Sequence, residues 1–440
     1  MAIRFFLFCF PGWLALCTTL PLSAQTLPRR AFFGVRMENI SDETARVMQL
    51  PAVKGVLITG TVPGSSAEAA GLQRGDVWLS LDGLEINSAD EGVAALRSLR
   101  EGRAVHIRGL RQGQAFEQDV VLKPIPTTSY ADFDLEYGVV QAGQIKLRSL
   151  ISRPKKAGRL PAVLFVQGVG CYSIDTPLDT NAVETQLLNN LTRHGFVTMR
   201  VDKQGMGDSQ GLPCTELDFN TEGQGYQQAL AQLRRLDYVD PERIFIIGHS
   251  MGGVFAPLLA RELPVRGIVA YGTIGEKFME YFANSRRTIG EAWGMAPAEI
   301  DTYVKQTCDC FQPYFEHGTP LADIIEIKPQ CSGLLSDMGR ATAFWQQLYR
   351  LDIPAQWSAY TGRVLAVWGQ ADYISVRAEH QHIVDLVNRA RPGHATFLEL
   401  EGCDHGMHQA GSARLAAQGG AGNFNPAVSE AIGQWLKANI

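Results

Sequence analysis

Ser250 stands in Ile244-Phe245-Ile246-Ile247-Gly248-His249-Ser250-Met251-Gly252-Gly253, where an apolar run meets Gly-x-Ser-x-Gly and the helix-like Val254–Arg261 follows. A strand that turns sharply into a helix at a serine needs glycine close on both sides, because side chains there would collide with the turn. The hydroxyl then stands exposed beyond the strand end. The Met251 N–H opens the helix and faces a developing oxyanion. A serine hydroxyl is a poor nucleophile at neutral pH and needs a base. The apolar Val364–Trp368 runs into Gly369-Gln370-Ala371-Asp372, and Phe397–Leu400 runs into Glu401-Gly402-Cys403-Asp404-His405. His405 is expected to shuttle the proton, and Asp372 to orient the imidazole and stabilise its charged form. Among rivals, His408 reads as a surface histidine, His249 packs beside the serine, and Asp404 points away.

A second oxyanion donor is expected from the loop after an earlier strand. Ala162–Val166 ends in Gln167-Gly168-Val169-Gly170-Cys171, and the Val169 N–H is the expected donor, with Gly168 and Gly170 as alternatives. The glycine-rich stretch from Asp202 to Gly211 reads as structural support near the pocket.

These positions demand a scaffold, and the chain has one. Short apolar runs recur at Ala162–Val166, Val197–Val201, Ile244–Ile247, Ile268–Ala270, Val364–Trp368 and Phe397–Leu400, with helix-length segments near Glu184–His194 and Glu222–Leu236. Such alternation predicts an α/β fold, a mostly parallel sheet with helices on both faces. Residues 276–360 interrupt the rhythm and are too long for a connection, so they read as an inserted helical cap. On these motifs residues 134–440 resemble the α/β-hydrolase superfamily, in the branch of bacterial esterases and prolyl-oligopeptidase-like enzymes. Many relatives carry His-Gly where this chain has Gln167-Gly168, a change that a backbone donor tolerates. The resemblance implies hydrolysis through an acyl-serine, with no metal and no organic cofactor. A small ester or acyl compound is the expected substrate. A serine exopeptidase is the first alternative, and a non-catalytic peptide-binding protein the second. The chain lacks the repeat-built propeller of prolyl-oligopeptidase-type peptidases.

Residues 31–124 form a smaller β-rich unit. Phe32-Phe33-Gly34-Val35 and Gly55-Val56-Leu57-Ile58 read as strands, followed by a turn and a helix ending at Gly71. A strand through Trp78-Leu79-Ser80-Leu81, a helix near Glu91–Arg100, and strands near Val105–Arg108 and Phe116–Leu122 follow. Gly-Ser-x-Ala-x-x-Ala-Gly-Leu-x-x-Gly-Asp, from Gly64 to Asp76, resembles a PDZ domain of the type beside exported bacterial proteases. That resemblance implies a groove that adds an extended peptide to a sheet edge. The N–H groups of Phe33, Gly34 and Val35 would hold a peptide or protein C-terminus. Residues 125–133, with two prolines nearby in Lys123–Ser129, are a linker, and few contacts are expected across it.

The 440 residues are 45% hydrophobic and 19% charged, with a formal net charge of −5. That is ordinary globular composition without a basic stripe, which excludes a nucleic-acid partner. Arg4, the apolar Phe5–Leu22 and Leu22-Ser23-Ala24 read as a signal peptide over 1–24, cleaved near Ala24. The mature protein is then periplasmic or secreted, with no membrane span. Six cysteines remain after position 24, an even count that suits disulfides, with more pairings than sequence distinguishes. Cys171 and Cys214 follow neighbouring strands, and a bridge between them is expected. Cys308-Asp309-Cys310 has no second pair at zinc-like spacing, so no metal is expected.

Overall fold

The computed structural model describes residues 27–50, 53–179, 181–336 and 338–440. The expected signal peptide lies outside them. The N-terminal sheet holds β1 (Val35–Asn39), β2 (Val56–Thr61), β3 (Val77–Leu81), β4 (Leu84–Glu85), β5 (Ala104–Arg111) and β6 (Gln114–Val121). Its order is β1-β2-β3-β5-β6, with β4 on β3, so β1 is an edge. Phe33, Ile58, Trp78, Ile107 and Val120 form its buried core. The first strand starts at Val35, later than Phe32-Phe33-Gly34-Val35 suggests. Gly34 has φ of 72°, and a Cβ there would lie 2.3 Å from that of Ser65. The chain turns at this glycine, and the Phe32 and Phe33 carbonyls accept from the Ser66 and Ala67 N–H groups at 2.9 Å each.

The larger sheet comprises β7 (Phe133–Ala142), β8 (Ile145–Pro154), β9 (Leu160–Val166), β10 (Val197–Val201), β11 (Val239–His249), β12 (Gly267–Tyr271), β13 (Arg363–Gly369) and β14 (Ala395–Leu400). The order is β14-β13-β12-β11-β9-β10-β8-β7. The strands from β9 to β14 pair in parallel. The antiparallel hairpin β7–β8 closes one edge. Alternate side chains feed two cores: Ala162, Leu164, Ile244 and Ile246 on one face, Val163, Phe165, Phe245 and Ile247 on the other. Val183–Arg193 and Pro426–Ala438 cover the second face, while Phe219–Leu233, Met251–Glu262 and Arg377–Ala390 cover the first.

Between β12 and β13 lie helices Phe278–Ala292, Pro297–His317, Leu321–Ile327 and Thr342–Arg350. Their rings stack into one cluster, Phe278, Phe282, Phe311, Phe315 and Trp345, continuous with the first core. A further helix, Ile353–Ala359, packs on Arg377–Ala390 and Met251–Glu262 and belongs to the sheet layer. The insertion over the sheet is therefore shorter than 276–360. Among the described residues, disulfides join Cys171 to Cys214 and Cys310 to Cys331, and Cys308 and Cys403 are thiols.

The polar contacts that tie the hydrolase-side loops to the N-terminal part come from the segment ahead of the small unit. Arg29, just ahead of the small unit, places Nη1 2.7 Å from both Asp175 Oδ2 and Asp208 Oδ2. Arg148 on β8 joins Asp208 at 3.0 Å and also donates to the Leu27 carbonyl at 2.9 Å.

Candidate active site

Ser250 leaves β11 with φ of 54° and ψ of −119°. A non-glycine residue there is strained and persists only where its surroundings fix it. Its N–H donates to the Tyr271 carbonyl at 2.8 Å, and its own carbonyl accepts from Thr273 Oγ1 at 2.8 Å. The flanking glycines are demanded by contact. A Cβ on Gly248 would meet the Gly252 carbonyl oxygen at 2.4 Å, and one on Gly252 the Val166 oxygen at 2.0 Å. The turn and the β9 end thus pack backbone on backbone, which sets the Gly168–Gly170 loop beside the serine.

Asp372, 2% exposed, follows β13. Its Oδ1 accepts from the Ile374 and Ser375 N–H groups at 2.8 and 2.9 Å, and Ser375 Oγ bonds Oδ2. His405 Nδ1 lies 3.0 Å from Asp372 Oδ2. Burial alone would raise the Asp372 carboxyl, but the His405 charge and these hydrogen bonds hold it below the ordinary carboxylate value. Burial likewise works against His405 protonation, and Asp372 outweighs it, so the imidazole is raised above its ordinary value. Among the described hydrogen bonds none joins the Ser250 hydroxyl to the ring. His249 lies against both residues: its Nε2 bonds the His405 carbonyl at 2.7 Å, with ring centroids 5.1 Å apart. Burial and the His405 charge depress His249 to about 4. Asp404 turns to His408, whose N–H it accepts at 2.7 Å.

Met251 begins its helix, and neither its N–H nor that of Val169 has a protein acceptor among the described residues. The carbonyls of the same loop are held from behind. Lys203 Nζ donates to Gly168 O at 2.6 Å and Gly170 O at 2.9 Å, and Arg340 Nη1 to Val169 O at 2.9 Å. Both cations share buried Glu222, 3.2 Å from Lys203 and hydrogen-bonded to Arg340. Lys203 falls in the glycine-rich stretch read as support. Glu222 and Arg340 carry no local sequence signal, because they come from a helix on one sheet face and from the insertion. Cys171 extends the loop into its disulfide.

A cavity of about 340 Å³ opens beside His249 and Gly406, with Tyr172, Asp179, Glu184 and His408 in its wall. Among the described residues no group of three His, Cys, Asp or Glu is placed to hold a metal ion.

A family model described as "Alpha/beta hydrolase family" matches residues 163–418, more than half of the chain. The chain belongs to the alpha/beta hydrolase family. A second model, "PDZ domain", matches residues 31–122, so this hydrolase carries an N-terminal PDZ domain. It is 36% identical over 98 residues to the probable periplasmic serine endoprotease DegP-like of Chlamydia trachomatis, 22% of this chain and 20% of that protein. The match spans about a fifth of that relative. It is 27% identical over 120 residues to esterase EstD of Thermotoga maritima, 27% of this chain and 28% of that one. Among solved structures, Est1E of Butyrivibrio proteoclasticus with ferulic acid covers 68% of this hydrolase and 98% of itself, at 15% identity and a TM-score of 0.46.

Proposed function

We propose that this hydrolase cleaves carboxylic esters through an acyl-serine intermediate. The observation that carries the reading is the Asp372–His405 pair, 3.0 Å apart, beside a serine held at positive φ where a strand becomes a helix. Neutral His405 takes the Ser250 proton as Oγ attacks the ester carbonyl. The oxyanion receives hydrogen bonds from the Met251 and Val169 N–H groups. Collapse expels the alcohol, which leaves with the proton from His405. Water then attacks the acyl-serine by the same route and releases the acid. Raised basicity at His405 suits a general base, and the Asp372 charge stabilises the imidazolium that forms.

A second reading, a serine exopeptidase, has one observation behind it. Asp179 and Glu184 line the cavity beside His249 and offer negative charge to a substrate amine. In the PDZ domain, β1 is a sheet edge open to an added strand; it begins at Val35, and Phe33 and Gly34 lead into it. A peptide C-terminus there is part of the proposal. Two disulfides support an exported, periplasmic or secreted protein, and no described helix is long and apolar enough to cross a membrane.

The test uses the mature chain and its Ser250→Ala variant on p-nitrophenyl acetate, p-nitrophenyl butyrate and aminoacyl-nitroanilides. Ester turnover and fluorophosphonate labelling, both lost in Ser250→Ala, are the expected result. Turnover of nitroanilides alone supports the exopeptidase. Full labelling of Ser250→Ala refutes the nucleophile.

A further inference from the structure

A buried charge is ordinarily paired, since removing it from water is costly. The buried arginines Arg29 and Arg148 obey this by meeting carboxylates, and Arg340 by meeting Glu222. Among the buried arginines of the described residues, Arg200 on β10 is the departure. It is 3% exposed, its Nε donates to the Ile174 carbonyl at 3.1 Å, and its Nη1 has no partner. No carboxylate pairs with it among the described residues. The nearby Asp175 is already held by Arg29.

Arg200 lines a polar cavity of about 320 Å³ between the linker, the helix Val183–Arg193 and the loop around Asp175–Asp179. At roughly 30 Å³ each, that is space for about ten waters or one small organic molecule. A second group without a partner stands in the same wall: Asn189, 5% exposed, with its Oδ1 unbonded. An unpartnered guanidinium nitrogen and an unpartnered amide oxygen thus belong to side chains that line one space.

We propose that this cavity is a binding site for a small monocarboxylate, with Arg200 as its counter-charge and Asn189 as its hydrogen-bond partner. The planar guanidinium matches a carboxylate in shape and charge. The wall argues against a dianion. Asp175 and Asp179 line it with Arg193 and Arg200, and Arg193 is held by Asp132 at 2.7 Å. The Asn189 oxygen favours a carboxylate that brings a donor of its own, such as a 2-hydroxy acid. Thr176 and Asp179 also line the cavity beside His249, so the occupant sits one loop from the candidate active site. The site does not depend on the ester reading.

The test is calorimetric titration and thermal melting of the mature chain with sodium lactate, acetate and phosphate, at ionic strength fixed with sodium chloride. Saturable binding of lactate and acetate, lactate the tighter, is expected. Arg200→Gln should weaken it by about tenfold or more, as loss of a charge-assisted pair does. Asn189→Asp places a fixed carboxylate in the cavity and should abolish the response in a folded protein, which keeps the test decisive if Arg200→Gln fails to fold. Ser250→Ala should bind as wild type does. An absent response in wild type, or an undiminished one in Asn189→Asp, overturns the site. Binding of phosphate in preference to both carboxylates overturns the ligand class.

Discussion

At the scale of single residues, the pH dependence of the hydrolase follows from one pair. In the proposed mechanism His405 is the base and must be neutral, and Asp372 raises its affinity for a proton above the ordinary value of 6.5. Activity should therefore fall as pH drops through that raised value and level off above it. His249, at about 4, stays neutral throughout this range and adds no limb of its own. Asp372→Asn removes the charge that raises His405 and leaves burial to lower it. Its acid limb should move to lower pH, while the plateau of kcat/KM on p-nitrophenyl acetate falls by about 10⁴. A limb unmoved in Asp372→Asn would assign the titration to another group. Ser250, Asp372 and His405 were all legible in the sequence because each need is local: an apolar run, a tight turn and a reactive side chain. Ser375 and Thr273, which hold Asp372 and the Ser250 carbonyl, were not. A short hydroxyl bond leaves no spacing rule behind it.

At the scale of elements, the Gly168–Gly170 loop is the least self-sufficient part of the site. Three successive carbonyls are held by Lys203 and Arg340, and both cations depend on Glu222. Holding those carbonyls from behind fixes the loop whose Val169 N–H is the proposed oxyanion donor. Arg340→Met leaves the Lys203–Glu222 pair in place and releases the Val169 carbonyl together with the second oxygen of Glu222. It should lower kcat by about tenfold to a hundredfold, less than outright loss of an oxyanion donor, which costs roughly 10²–10³. KM for a small ester should change little, because the hydrogen bond that weakens is one the oxyanion accepts in the transition state and the bound ester does not. Equal losses in kcat and in thermal stability, with Arg340→Lys restoring neither, would make the arginine purely structural. Legibility at this scale was uneven. The parallel strands and the Cys171–Cys214 bridge followed from strand order. The hairpin β7–β8 did not, since β7 is an edge strand of mixed burial and Lys146, Arg148, Ser149 and Ser152 break up the apolar residues of β8. The helix Ile353–Ala359 was read into the cap, because a helix-forming sequence does not say which layer it joins.

At the scale of the molecule, the proline linker is not where the chain ties the N-terminal part to the hydrolase domain. The junction lies in the chain ahead of the PDZ domain, where Arg29 reaches Asp175 and Asp208 with side chains 10%, 3% and 1% exposed. The Arg30 N–H donates to Asp208 at 2.7 Å, and its guanidinium to the Asp175 carbonyl at 2.8 Å. All proposed catalytic residues lie beyond residue 134, so the hydrolase domain holds its own chemistry. Its stability is another matter. Deleting everything before Ala131 leaves Asp175 and Asp208 buried with less compensating charge, Arg148 alone remaining on Asp208. Breaking a buried pair by removing one partner costs about 3–5 kcal/mol. Arg29→Met in the full mature chain isolates that contribution, and urea unfolding should show a stability loss of this order. Asp175→Asn in the same chain removes one stranded carboxylate and should restore about 1–2 kcal/mol of it, as a double-mutant cycle would read. The Ala131-start fragment should unfold at correspondingly lower urea. Below its transition it should keep kcat/KM on p-nitrophenyl acetate within about a hundredfold of the full chain, roughly 2.7 kcal/mol of transition-state stabilisation. A fragment as stable as the full chain would show that these ion pairs do not join the domains. A larger activity loss in a folded fragment would mean that the segment around Arg29 shapes the site through the loop that carries Asp175.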